Sequence, residues 1–301
     1  MTVASVSVAQ PQVAKTKWDI LAGIVLIHAG ALAAPFTFTW SAFAVFMVLQ
    51  FITGLLGITL CYHRLLAHRS FQVPKGVEYF LALCGSLAFQ SGPIKWVATH
   101  RMHHAFSDRP QDPHSPKRGF WWAHMLWLFA ADEILDHQEK FRCFVPELAG
   151  DRFHRMLEAT STWQTPLLGL ALFAIGGLPW LVWGVFLRIV FVYHATWLVN
   201  SAGHLWGYQS YETNEGSRNN WWVALISYGE GWHNNHHAYL HSAAHGLHWW
   251  EVDATYLMIR FLGWLGLANH IRLPQGNPAK LPAIGSRTRI VLPIPLPQLS
   301  P

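Results

Sequence analysis

Two stretches without charge constrain this chain more than any other feature. Residues 20–63, between Asp19 and Arg64, are 44 positions with no Asp, Glu, Lys or Arg. Residues 159–211, between Glu158 and Glu212, are 53 more, interrupted only by Arg188. A bilayer core takes about 20 apolar residues per helix, so each stretch has the length for two spans. Each also contains an uncharged breaking point, Ala34-Pro35-Phe36-Thr37 in the first and Gly176-Gly177-Leu178-Pro179 in the second. The pattern predicts spans at about 18–35, 40–61, 163–178 and 181–203. The fold class expected is all-α integral membrane, four transmembrane helices in two hairpins carrying a helical cap.

The remaining charges set the orientation. Nearly all lie before, between or after the hairpins, with Lys15 and Lys17 ahead of the first span and Arg64 and Arg69 after the second. The positive-inside rule then puts both termini and the segment 62–162 in the cytosol. Segments 62–162 and 204–271 form the expected cap, with helical pieces near 76–89 and 95–106. Residues 1–17 read as a flexible leader to a membrane domain over 18–271. Residues 272–301, with seven prolines, read as an extended tail. The first apolar run lacks a clean cleavage pattern and reads as a retained span. Arg188 is expected to snorkel to the far interface or to pair locally.

Composition excludes several classes of function. Only 12% of residues are charged and 52% are apolar, against about 25% charged in soluble domains. Neither an ordinary soluble enzyme nor a disordered chain fits. The net charge of +5 comes without a basic run or a nucleic-acid motif; it suits anionic headgroups or an acidic partner protein. Cys61, Cys84 and Cys143 show no CxxC spacing, which leaves no disulfide framework and no iron–sulfur site of the chain's own.

Nineteen histidines remain to be explained, and their grouping says more than their number. His63 and His68 stand at the exit of the second span. His100, His103 and His104 form one HxxHH pattern, and His233, His236 and His237 a second. His204 ends the fourth span, four residues after Asn200. Helical residues at i, i+3 and i+4 share a face, so each triplet is expected to point one way, as are Asn200 and His204. His63 and His68, five apart, do not share a face on an α-helix; His68 is expected just past the helix end or turned toward a second metal. Neutral imidazole binds iron, zinc and copper, and a mononuclear site needs about three or four protein ligands. Nine imidazoles therefore imply two metals. His28, His114, His124, His137, His154, His194, His241, His245, His248 and His270 read as packed or surface residues, with His194, inside a span, the least ordinary. No HExxH is present, so a zincin protease is unsupported. A haem carrier would need axial histidines inside the helix bundle, and a transporter would need ligands near mid-bilayer, where only His28 and His194 are expected.

The three histidine boxes resemble those of the integral-membrane fatty-acyl desaturases. The words around them extend the resemblance: Trp96, Ser107-Asp108, Asp112-Pro113-His114-Ser115-Pro116, Arg118-Gly119-Phe120, Asn200-Ser201-Ala202-Gly203-His204 and Gly229-Glu230-Gly231-Trp232. It covers about residues 18–270 and is nearest the delta-9 branch, in particular the cyanobacterial and plant-like enzymes. The resemblance implies a cytosolic cap holding two irons, ligated by His63, His68, His100, His103, His104, His204, His233, His236 and His237, with Asn200 acting through a water. No catalytic side chain beyond these is implied. It implies an acyl tunnel bent by Gln90, Trp96 and Thr196. Glu230, Asp108 and Asp112 are candidate carboxylate partners of the ligands. The implied reaction uses O2 and an external electron donor to insert a cis double bond at carbon 9 of a stearoyl or palmitoyl chain. The donor is a ferredoxin or a small cytochrome, since no fused cytochrome domain is apparent. Animal relatives that take acyl-CoA carry polar and Arg residues where Ser91, Gly92 and Ala98 stand here. That departure favours an acyl chain esterified in a membrane lipid over acyl-CoA, and a thylakoid or plasma membrane as the location. A membrane hydroxylase or ketolase with the same metal chemistry is the rival among enzymes.

Overall fold

The structure, a computed structural model, describes residues 15–274. Residues 1–14 of the expected leader (1–17) and residues 275–301 of the expected proline-rich tail (272–301) lie outside the described residues. Among those described, the fold is all helix, with only isolated β-bridges such as Thr16 to Ala130.

Helix α1 spans Trp18–Ala31 and ends in a short turn, Ala34–Thr37, at the expected break. The Thr39 side chain then accepts from the Ala42 amide at 3.0 Å and caps α2, Trp40–Ala67. This helix is ordinary α to Gln50. From Phe51 to Ala67 its backbone bonds i→i+5, as in the 3.1 Å bond from the His68 amide to the His63 carbonyl. Such a π-type stretch is rare and associated with function. Helices α3 (Lys75–Ser86) and α4 (Pro93–Phe106) follow, matching the helical pieces expected in the cap. The backbones of α2 and α3 nearly touch: a Cβ on Gly57 would lie 2.5 Å from Gly85 Cα, so only glycine serves there.

A short helix α5, Phe120–His124, follows. Asp151 then accepts from the Phe153 and His154 amides and starts α6, Arg152–Leu181. Gly177, at φ 64° and ψ −158°, breaks this helical run where Gly176–Pro179 predicts a turn. A π-type turn, Val182–Leu187, leads into α7, Arg188–Asn200. The boxes return on α8, His233–Ala238, and α9, Ala254–Trp264, closes the described fold.

Two helical runs, Trp40–Ala67 and Arg152–Leu205, are long and apolar enough to cross a membrane, and α1 is a shorter apolar helix. Their outer faces leave Leu26, Trp40, Met47, Trp163, Leu170 and Ile175 exposed. A belt of that kind belongs in lipid rather than in water. Arg188 does not snorkel. It is fully buried and donates to the Gly184 carbonyl at 2.7 Å and to Thr53 Oγ1 at 2.9 Å, the local pairing that was the other expectation.

Candidate metal centre

Imidazoles from α2, α4, α8 and the turn Ala202–Leu205 meet in one region of the fold. They form two groups, each with its ligand atoms within 4.8 Å of one another: His63, His68, His100, His104 and His236, and His103, His204, His233 and His237. All nine histidines singled out by spacing are present, and no other histidine is in either group.

The groups cut across the boxes, which corrects the expectation that each triplet points one way. His100 and His104, at i and i+4, join the first group, while His103 at i+3 faces the second. In α8 the pair His233 and His237 joins the second group and His236 the first. A 3.6-residue turn places i+3 and i+4 on opposite sides of residue i, so each box bridges both groups. The His63–His68 pair is a second correction. The π-type winding brings the fifth residue back over the first; the two rings share one group, with centroids 4.8 Å apart. His68 does sit just past the helix end, as its C-cap.

Nε2 atoms face one another throughout. In the first group His63–His236, His68–His100, His100–His104 and His104–His236 are 3.2, 2.7, 2.9 and 3.1 Å apart. In the second, His204–His233 and His233–His237 are 3.0 and 3.1 Å apart, and the buried His103 Nε2 has no hydrogen-bond partner. Two nitrogens each ~2.1 Å from one cation at a right angle stand ~3.0 Å apart. One such contact can be an N–H···N hydrogen bond, but His100 and His236 Nε2 each face two others, and a neutral ring nitrogen cannot donate and accept at once, so the donor set fits a metal in each group.

Carboxylates hold the other ring nitrogen. His63 Nδ1 is in close contact with Glu230 Oε2, and His103 Nδ1 lies 3.0 Å from Asp112 Oδ2. Asp108 and Glu215 approach His204 Nδ1 at 3.6 and 3.5 Å, and Glu215 also approaches His237 Nδ1 at 3.5 Å. A proton on Nδ1, held by a carboxylate, leaves the Nε2 lone pair for metal. The three candidate carboxylates thus each meet one of the nine histidines. Glu215, His114 and His245 were missed: His245 sits 3.3 Å from Glu230 Oε2 with its ring on His236, and His114 lies on His103. Only tertiary contact reveals them, since their spacing to the boxes is irregular. The other histidines read as packed or surface residues stand outside both groups.

Burial lowers the pKa of His68, His100, His104, His233, His236 and His237 well below the ordinary value, and neighbouring imidazoles push the same way. These rings are neutral at pH 7 and ready to bind metal. Burial pushes the Glu230 carboxyl up, but His63 and Arg64 outweigh it and hold it well below the carboxylate range. At Asp112, His103 and His114 likewise outweigh burial. The sign for stability follows for the six depressed histidines. The unfolded chain protonates them near pH 6.5 and the fold does not, so stability is lost as pH falls below about 6.5, at up to ~1.4 kcal/mol per residue per pH unit. The metal-free protein is expected to show a melting temperature that drops steeply between pH 7 and 5; a flat profile would mean the rings are not buried together.

Two cavities adjoin the centre. A small one of about 60 Å³ is lined by His63, His100, His233, Asn200, Gly54 and Gln50. A larger one of about 600 Å³ runs from Trp96, His100, Thr196 and Asn200 out to Lys17, Lys95 and Glu158. Where they meet, Trp96 Nε1 donates to Gln90 Oε1 at 3.1 Å and Gln90 Nε2 donates to Thr196 Oγ1 at 2.9 Å. The three residues expected to shape a tunnel are therefore one hydrogen-bonded unit, and the Trp96 ring stacks on His100 at 5.4 Å. Asn200 lines both cavities beside the histidines.

A family model described as fatty acid desaturase matches residues 38–268. The chain is 51% identical over 249 residues to an sn-1 stearoyl-lipid 9-desaturase of Anabaena variabilis, covering 82% of this chain and 90% of that one. It is 46% identical over 264 residues to an sn-2 palmitoyl-lipid 9-desaturase of Nostoc sp. (strain 36), covering 86% and 92%. It is 46% identical over 253 residues to an acyl-CoA 5-desaturase of Anemone leveillei, covering 83% and 77%.

Proposed function

The chain belongs to the fatty acid desaturase family, and from that premise we propose that it is a membrane acyl-lipid delta-9 desaturase. It is an oxidoreductase that inserts a cis double bond between carbons 9 and 10 of a saturated chain esterified in a membrane glycerolipid. The observation that carries this reading is the pair of converging imidazole groups set beside two adjoining cavities. The likeness to two lipid 9-desaturases, over most of each chain, supports the choice of substrate and carbon.

His63, His68, His100, His104 and His236 would hold one iron, and His103, His204, His233 and His237 the other, with Asn200 acting through a water. Bound there, the two irons supply the oxidising power needed to take hydrogen from an unactivated methylene pair, with O2 reduced to water by electrons from a separate carrier. A ferredoxin suits this role, with a small cytochrome as the alternative.

The chain's own residues position and shield. Glu230, Asp112, Asp108 and Glu215 favour the tautomers in which the Nε2 lone pairs of His63, His103, His204 and His237 point inward. Burial of the groups keeps bulk water from the reacting carbons. The Trp96–Gln90–Thr196 unit sits where the two cavities meet and would bend the acyl chain, setting which methylenes lie beneath the metals. The four apolar segments would form two hairpins with both termini cytosolic, putting the centre at the water-facing rim.

Gln90→Leu removes both hydrogen bonds of that unit. A 1 Å misplacement costs on the order of 100-fold in rate, so the variant is expected to slow delta-9 insertion and to yield bonds at neighbouring carbons, read by mass spectrometry of the products. A single unchanged product would remove the trio from regioselection. The proposal itself is tested in a desaturase-deficient host: lipid-linked delta-9 monoenes support it, hydroxylated chains favour the hydroxylase, and unaltered lipids refute both.

A further inference from the structure

We propose that the acyl chain enters sideways from the bilayer, through the seam between α1 and α7; this rests on the acyl-lipid reading above. A glycerolipid keeps a second chain in the membrane. Drawing that chain into water costs more with each methylene exposed, so a two-tailed substrate needs an opening in a lipid-facing wall.

The wall of the large cavity is one helix thick at α1. Ile20, Gly23, Ile24 and Ile27 line the cavity, while Ala22, Val25, Leu26 and Ala29 on the other face are exposed. Tyr193, Thr196 and Trp197 of α7 line the cavity from beside it. Both stripes follow helical spacing, so the two helices present facing edges to one space. Gly23 leaves that edge open, because a Cβ built on it meets nothing within 4 Å.

The segment ahead of α1 is tied to residues 129–131: the Lys17 amide donates to the Phe129 carbonyl at 2.8 Å and the Ala131 amide to the Lys15 carbonyl at 2.9 Å. At the membrane end, His28 Nε2 and His194 Nε2 are 3.1 Å apart, and His194 Nδ1 is 2.9 Å from His124 Nε2. His28 Nδ1 lies 2.7 Å from the Ile24 carbonyl, which can only accept. That fixes the chain of donors: His28 gives Nδ1–H to Ile24, His194 gives Nε2–H to His28, and His124 gives Nε2–H to His194. Among the described residues this is the one side-chain hydrogen bond joining α1 to α7. It accounts for two histidines within the spans and sets the lower edge of the opening, one turn below Ile24.

The test fills the gap. Gly23→Trp is compared with the wild type and with Leu170→Trp, which adds the same ring to an exposed face of α6. Each full-length, iron-loaded enzyme is assayed in nanodiscs on a two-tailed stearoyl glycerolipid. One-tailed stearoyl lysolipid, which leaves a bilayer readily, is then measured as an inhibitor. Expected for Gly23→Trp is a loss of at least tenfold in kcat/KM on the two-tailed lipid, an inhibition constant for lysolipid within twofold of wild type, and unchanged iron content. Leu170→Trp should match the wild type. The idea is overturned if Gly23→Trp keeps its kcat/KM, if lysolipid inhibition weakens as much as kcat/KM falls, if Leu170→Trp loses as much, or if lysolipid does not inhibit. A variant that fails to fold shows as lost iron, and Gly23→Leu then takes its place with the same outcomes. A wild type that desaturates no stearoyl-lipid would instead sink the acyl-lipid reading.

Discussion

Alanine at His103 or at His236 is expected to abolish desaturation, and at His103 to leave the chain short of about one iron. The two should differ in how firmly the affected iron is held. His103 belongs to the group of four imidazoles, and its loss leaves three. His236 belongs to the group of five, and its loss leaves four, still enough for a metal of about four protein ligands. His103→Ala should therefore lose its iron more completely and at lower chelator concentration. Metal analysis after graded chelation, with Mössbauer spectra of the remainder, separates the two. Equal iron and full activity in either variant would contradict the grouping.

The second large effect is expected at Glu230. One carboxylate oxygen meets His63 Nδ1 and the other accepts from Arg64 at 2.8 and 3.1 Å. Arg64 is wholly buried and also donates to Asp253 at 2.8 Å and to the Ala243 carbonyl at 2.6 Å. Glu230→Ala leaves that guanidinium with one carboxylate and His63 with no acceptor. Breaking a buried pair from one side costs about 3–5 kcal/mol, and losing a carboxylate behind a ligand histidine costs about 10–100-fold in metal affinity. Thermal melts and iron titrations of the purified protein should show both losses. Glu230→Gln keeps an oxygen for Arg64 but not the charge; it should recover much of the stability and little of the affinity. A Gln variant that binds iron like the wild type would mean the charge does not matter to His63.

Much of the fold was legible because lipid forbids charge. The runs after Asp19 and Glu158 mark the apolar helices, and the breaks at Ala34–Thr37 and Gly177 fall where proline and glycine stand. The nine histidines were legible because helical spacing groups them. Their division between two groups was not. It depends on the π-type winding of Phe51–Ala67, which no residue type announces, and on the ~100° that separates i+3 from i+4 around a helix. Glu215 and His245 reach the centre from loops by tertiary contact alone, so no period in the sequence marks them. The Trp96–Gln90–Thr196 unit rested on resemblance; read as residues, Trp96 and Thr196 are ordinary core positions. His28 and His194 lie 166 positions apart, and only the packing of α1 on α7 makes them a pair.

The central claim is that two metals, not one, sit among these imidazoles. Iron per chain, measured on reconstituted protein at saturating ferrous iron with Mössbauer spectroscopy of the same sample, tests it most directly. The account predicts two irons per chain in two distinct nitrogen-rich environments, the second absent from His103→Ala. One iron at saturation, or none, would contradict it.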